Sequence, residues 1–240
     1  MLPIKDDIPT RRTPIVTIAL IAINVIVYFV FEQGLWGLGD VGNERVLEYG
    51  AIPAEITDPG FEVSSGDQAP FWLTILTSMF MHGSLLHLGG NMLFLWIFGN
   101  NIEDSMGRLT FVLFYVLGGL AALGLHVLSD SESVIPTVGA SGAIAAVLGA
   151  YARLYPRARV VTLVFIVIIF TVITLPALLV LGVWLLLQLL PAFSDPVTGG
   201  GGGVAYFAHI GGFVFGALAI KLFANNVHED YDQAHRIPVY

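Results

Sequence analysis

Apolar residues run along this chain in long blocks separated by short polar stretches. A helix that crosses a membrane needs about 20 predominantly apolar residues. The blocks that approach this are residues 14–31, 87–102, 109–128, 140–154, a longer region 160–190, and 204–223. The second and fourth are short and contain polar residues. The block 160–190 is too long for one straight crossing, at roughly 46 Å for a rise of about 1.5 Å per residue. It is too short for two crossings, which need about 40 residues. Pro176 divides it. We read 160–175 as buried or interfacial apolar chain and 176–190 as the fifth span. The pattern predicts an all-α membrane protein with six transmembrane helices and a long outer loop between helices 1 and 2. Its organisation is a tail at 1–13, a membrane domain at 14–223 and a second tail at 224–240.

The first block exceeds the roughly 7–15 apolar residues of a signal-peptide core, and no small-x-small cleavage site follows it. It reads as a retained span. Composition sharpens the picture: apolar residues make up 56% of the chain and charged residues 12%, against about 25% charged in an average soluble domain. Such a chain cannot cover its surface with polar groups, so lipid is part of its solvent. Cysteine is absent, which excludes disulfides and thiolate chemistry.

Charge placement sets the orientation, because cytoplasmic segments carry excess Lys and Arg. With six spans both tails share one side. That side holds Lys5, Arg11, Arg12, Arg108, Arg153, Arg157, Arg159, Lys221 and Arg236, nine of the ten basic residues. The other side holds Arg45 with Asp40, Glu44, Glu48, Glu55, Asp58, Glu62 and Asp67. Both termini are therefore expected to be cytoplasmic, in the plasma membrane of the cell, with 34–86, 129–139 and 191–203 outside. The outer loop carries Trp36, Phe61, Phe71 and Trp72, amphipathic aromatics that favour the headgroup region. The glycine run 199–203 is expected to be flexible, and the polar tail beyond Asn225 mobile.

Polar groups in hydrocarbon are costly, so each one raises a functional question. Four stand out: His87, Asn91, Ser141 and His209. The second, fourth and sixth spans all run inward, and these residues lie near their starts. All four thus fall in the outer third of the membrane. Ser141 sits in Gly139-Ala140-Ser141-Gly142, where small neighbours leave room for a substrate backbone. A serine hydroxyl is a weak nucleophile and needs a base. His209 is the only histidine of the later spans and suits that role. His209, Gly212 and Gly216 share one helical face at i, i+3 and i+7. Gly212-x-x-x-Gly216 lets another helix approach closely, and Gly142, Ala145 or Ala146, and Gly149 offer a matching small face. His87 and Asn91, at i and i+4, suit stabilisation of an oxyanion, with the Ser141 backbone N–H as a third donor. Singly, each has a blander reading: a membrane serine ordinarily bonds back to its own helix, a Gly-x-x-x-Gly pair is ordinarily packing, His87 suits an interface and Asn91 suits helix–helix glue. Matched depth, and a packing motif that joins Ser141 to His209, favour the chemical reading.

Other proteolytic chemistries do not fit. A zinc site of the His-Glu-x-x-His kind needs histidines at i and i+4 with a glutamate between them, whereas His82 and His87 are i, i+5 and enclose Gly83-Ser84-Leu85-Leu86. An aspartyl dyad needs two intramembrane aspartates, and the spans contain none. No metal or other cofactor is expected, and no nucleic acid. Oligomeric state is not legible.

At these residues the chain resembles the rhomboid family of intramembrane serine proteases, over roughly 14–223. Gly139-Ala140-Ser141-Gly142 resembles the nucleophile motif. His82 and His87-x-x-x-Asn91 resemble the second-span signature, and Ala208-His209-x-x-Gly212-x-x-x-Gly216 the sixth-span signature. Glu103-x-x-x-Gly107-x-x-x-Phe111-x-x-x-Tyr115 and Trp184-x-x-x-Gln188 resemble patterns of the third-span entry and fifth span. The resemblance implies a six-helix rhomboid-like bundle around a water-filled cavity open to the outside. It implies a Ser141–His209 dyad with an oxyanion hole from His87, Asn91 and the Ser141 amide. The substrates implied are single-span membrane proteins, cleaved near the outer face, with the fifth span as a lateral gate. Some members carry a tyrosine four residues after the nucleophile, stacked on the catalytic histidine; here that position is Ala145. The rival readings are an inactive relative that binds membrane proteins, and a small transporter.

Overall fold

The computed structural model describes residues 1–33, 42–58, 60–61, 69–166, 169–194 and 205–224. Trp36, the glycine run 199–203 and the tail beyond Asn225 lie outside the described residues. The chain is mostly helical. It opens with a strand, β1 (Leu2–Asp6), then helix α1 (Ile15–Ile26), which continues through wide turns over Val27–Glu32. Short helices α2 (Gly42–Tyr49), α3 (Pro53–Thr57) and α4 (Phe71–Thr77) follow. Helix α5 (Leu85–Phe94) runs through a wide turn at Leu95–Gly99 into α6 (Asn100–Met106). Then come α7 (Arg108–Ser129), α8 (Ser141–Leu154), strands β2 (Arg159–Ile166) and β3 (Ile169–Pro176), α9 (Ala177–Ser194) and α10 (Tyr206–Phe223). Among the described residues, three helical stretches are long and apolar enough to cross a membrane, at Ile15–Glu32, Arg108–Ser129 and Tyr206–Phe223. A fourth is a pair, Phe71–Phe80 and Leu85–Met106, bent by 76°. The apolar helices at Ser141–Leu154 and Ala177–Phe193 are shorter.

Helix α8 is the centre of the molecule. Every residue from Gly142 to Tyr151 is buried, although the helix is only 14 residues long, about 21 Å. Small residues allow this. A Cβ on Gly142 would overlap the Ala122 methyl of α7, and one on Gly118 of α7 would overlap the Ala146 methyl. On the opposite flank, Gly149 faces the Phe213 carbonyl while Gly212 and Gly216 face the carbonyls of Gly142 and Ala146, each too close for a side chain. Helices α8 and α10 therefore touch backbone to backbone.

Three expectations are corrected. The fold is not all-α: β1, β2 and β3 form a three-stranded antiparallel sheet in that order. The block 160–175 is a hairpin, with Arg159 opposite Pro176 and Ile166 opposite Ile169. Its Val, Ile and Thr residues are stiff at χ1 and pack well on a pleated surface. The stretch 34–86 is not simply a long loop, since it holds α2, α3 and α4, and Ala51 bridges Thr137. Helix α9 also runs four residues beyond the expected Leu190.

Two buried carboxylates tie the N-terminal segment to the bundle. Glu103 accepts hydrogen bonds from the Val16 N–H (3.0 Å), the Thr17 N–H (2.8 Å) and the Thr17 hydroxyl (2.8 Å). It thereby occupies the start of α1, where N–H groups lack helical partners and negative charge is favoured. Asp6 of β1 accepts from the Tyr151 hydroxyl (2.7 Å) and from the Asn101 amide. Burial pushes the Asp6 carboxyl above the ordinary aspartate range, against these two hydrogen bonds, which pull it down. A carboxyl whose folded pKa is raised supports the fold at low pH, and that support is lost as pH rises through the folded value. Asp6→Asn, permanently neutral, is therefore expected to match wild type in thermal stability near about pH 4 and to exceed it increasingly above that. Asp6→Ala leaves two buried donors unmatched, at about 1–3 kcal/mol each, and is expected to be less stable throughout. Unfolding temperatures in detergent across pH check both.

Candidate active site

Ser141 is the first residue of α8, two residues after Gly139, whose φ of 133° favours glycine. A Cβ on Gly139 would lie 2.8 Å from Cε1 of His87 and 3.3 Å from Oγ of Ser141. The glycine therefore lets the His87 ring and the Ser141 hydroxyl crowd the same corner. The Gly139 N–H donates to the Ser78 carbonyl at 2.8 Å, which fixes the loop. The Ser141 N–H is among the first four of its helix, which by geometry have no helical carbonyl to bond.

His209 lies in the first turn of α10 and is buried. Its Nε2 is 2.8 Å from the Ser141 Oγ. Its Nδ1 is 2.8 Å from Oε1 of Gln188 on α9. The Gln188 Nε2 donates to the Trp184 carbonyl at 3.1 Å. The Trp184 ring sits 5.8 Å from the His209 ring, centroid to centroid, at 41°. The contacts of His209 thus include Gln188 and Trp184. Sequence reasoning placed both residues in a fifth-span pattern but did not connect them to His209. The available signal was the cost of an amide in an apolar helix.

His87 and Asn91 sit one turn apart on α5, whose start is capped by Ser84 accepting from the His87 N–H at 3.1 Å. Ser141, His209, His87 and Asn91 line one cavity of about 570 Å³, with Gly139, Gly142, Trp184 and Phe94 among the other walls. Among the described residues, the Asn91 amide nitrogen is buried without a hydrogen-bond partner. A buried unmatched donor is costly, and a functional site is where that cost is tolerated. Gly142, a wall of the cavity, also joins Gly212 and Gly216 in the α8–α10 contact. His82 precedes α5, and its backbone N–H donates to both carboxylate oxygens of Glu32 at 3.0 Å. Its ring packs edge-on to His87 with centroids 5.1 Å apart. Among the described residues, no three His, Asp or Glu side chains are grouped to hold a metal ion.

The arrangement places a hydroxyl against an imidazole in a cavity that also holds the unmatched Asn91 amide. A family model, the Rhomboid domain, matches residues 70–226. The chain belongs to the rhomboid family. It is an integral multi-pass membrane protein. Rhomboid protein 1, mitochondrial, of Saccharomyces cerevisiae is 33% identical over 157 residues, covering 61% of this chain and 40% of that protein. Rhomboid protease GluP of Bacillus subtilis is 29% identical over 137 residues, covering 57% of this chain and 24% of GluP. RHOMBOID-like protein 5 of Arabidopsis thaliana is 36% identical over 76 residues, 32% of this chain and 25% of its own length. The aligned region spans less than half the length of each of these curated relatives.

Proposed function

We propose that this rhomboid is an intramembrane serine endopeptidase that cleaves single-span membrane proteins near the outer face of the membrane. The observation that carries the proposal is the 2.8 Å contact between His209 Nε2 and Ser141 Oγ at the wall of a roomy cavity. In this reading the Ser141 Oγ attacks the scissile carbonyl carbon while Nε2 takes its proton. The oxyanion is held by the Asn91 amide, the His87 ring and the Ser141 N–H. The His209 imidazolium returns its proton to the leaving amine, and the C–N bond breaks. Water then attacks the acyl-enzyme, with His209 again as base, and Ser141 is regenerated.

In this reading the bent pair counts as one crossing and the shorter helices α8 and α9 also cross, for six in all. At about 21 Å, α8 is shorter than a hydrocarbon core of about 30 Å, so Ser141 lies below the outer surface, where a cavity must bring water. Both termini are cytoplasmic in this reading, in a cell membrane. The basic residues support it, and pairing of β1 with β2 puts Lys5 and Arg159 in one sheet. Purified protein in liposomes, offered reporters whose single spans carry small residues before the cut and helix-weakening residues after it, tests the activity. Products ending in the outer part of the span are expected. Reporters left intact by wild type across the panel would replace the endopeptidase with an inactive, substrate-binding relative. Asn91→Ala is expected to lower kcat by about 10²-fold, as loss of one oxyanion donor does. An unchanged rate would remove Asn91 from the oxyanion hole.

A further inference from the structure

We infer that Gln188 is a positioning residue for His209, fixing the imidazole in the one tautomer that can activate Ser141. The inference rests on the reading of Ser141 and His209 as a nucleophile and its base. A neutral imidazole carries one proton, on Nδ1 or on Nε2, and only the bare nitrogen accepts. Two bonds decide which. The Gln188 amide has a donor end and an acceptor end, and its nitrogen is committed to the Trp184 carbonyl at 3.1 Å. That commitment turns Oε1 toward His209, 2.8 Å from Nδ1. Oε1 only accepts, so Nδ1 must carry the proton and donate it. Nε2 is then bare, 2.8 Å from the Ser141 Oγ, and accepts the hydroxyl proton.

The opposite tautomer would set a lone pair on Nδ1 against the lone pairs of Oε1 and leave Ser141 without a base. Trp184, one turn before Gln188 on α9, supplies both the carbonyl that locks the amide and a ring against His209. In soluble serine proteases a carboxylate takes this third place. An amide does the same orienting work without placing a charge in the membrane interior, where charge is expensive. It also means that α9 must lie against α10 while the proton moves.

The test is 15N NMR of histidine-labelled protein in detergent, with cleavage kinetics on the same samples. Wild type is expected to show His209 with a pyrrole-type Nδ1 and a pyridine-type Nε2. Gln188→Leu is expected to show a mixed or reversed tautomer and to lose about 10- to 100-fold in kcat, with KM within about twofold of wild type, as expected when an interaction acts mainly in the transition state. Gln188→Glu, which keeps an acceptor in place, is expected to restore the wild-type tautomer and most of the rate. A wild-type His209 protonated on Nε2 would overturn the inference even if Gln188→Leu failed to fold. So would a Gln188→Leu protein with an unchanged tautomer, whatever its rate. The tautomer is read without substrate. A wild-type protein that cleaves nothing would therefore sink the proposed activity and leave the spectrum to judge Gln188 alone.

Discussion

Ser141→Ala and His209→Ala are each expected to reduce cleavage to background, with the double variant no worse than either. The reason is that neither group does chemistry without the other. Ser141 without a base keeps a proton that its oxygen cannot shed, and His209 without Ser141 has no nucleophile to activate. Residues that act as one unit lose their function together, so their effects do not add. The expected loss is about 10⁴-fold or more. Ser141→Ala is expected to leave the fold intact. Ser141 sits at a helix start, and the bond from its hydroxyl runs to His209. Equal unfolding temperatures for wild type and Ser141→Ala in detergent check that the loss is chemical. Additive losses in the double variant would show two independent contributions and undo the pairing.

Gly212→Val and Gly216→Val are expected to abolish cleavage by a different route and to destabilise the protein as well. A Cβ at Gly212 would overlap the Gly142 carbonyl, and one at Gly216 the Ala146 carbonyl. Both obstacles are backbone, which cannot turn aside as a flexible side chain does. Helix α10 must therefore move away from α8 and carry His209 with it. Overpacking of this kind costs about 1–3 kcal/mol, occasionally more. A shift of 1 Å at the chemistry can by itself cost about 10²-fold in rate. Gly124→Ala in α7 is the control, because among the described residues nothing beyond its own helical turn lies within 4 Å of the added methyl. It is expected to leave cleavage unchanged and to raise stability slightly, by up to about 1 kcal/mol. Cleavage at the wild-type rate by Gly212→Val would show that the close contact of α8 and α10 does not set the spacing of Ser141 and His209.

Much of this architecture has a plain trace in the sequence. Spans stand out because apolar blocks of the required length are rare by chance. The approach of α8 to α10 leaves its trace in the spacing of Gly149, Gly212 and Gly216, since backbone contact demands small residues. The hairpin left a weaker one. Val160, Val161, Thr162 and Val164 face Ile173, Thr174 and their neighbours, and the apolar run does not alternate, so periodicity cannot separate a strand from a buried helix. Strand β1 was harder still: five residues whose partner lies more than 150 positions away. Glu32 and Gln188 announce themselves as polar groups in apolar helices, but spacing along one helix does not say which other helix it faces. For Glu32 the answer is the His82 backbone, and for Gln188 it is the His209 ring.

The most direct test of the central claim is to label the purified protein with a fluorophosphonate and locate the adduct by peptide mass spectrometry, in wild type and in His209→Ala. The expected result is an adduct on Ser141 in wild type that is lost in His209→Ala. An adduct on another residue, or equal labelling of Ser141 with and without His209, would contradict the assignment of Ser141 as a nucleophile activated by His209.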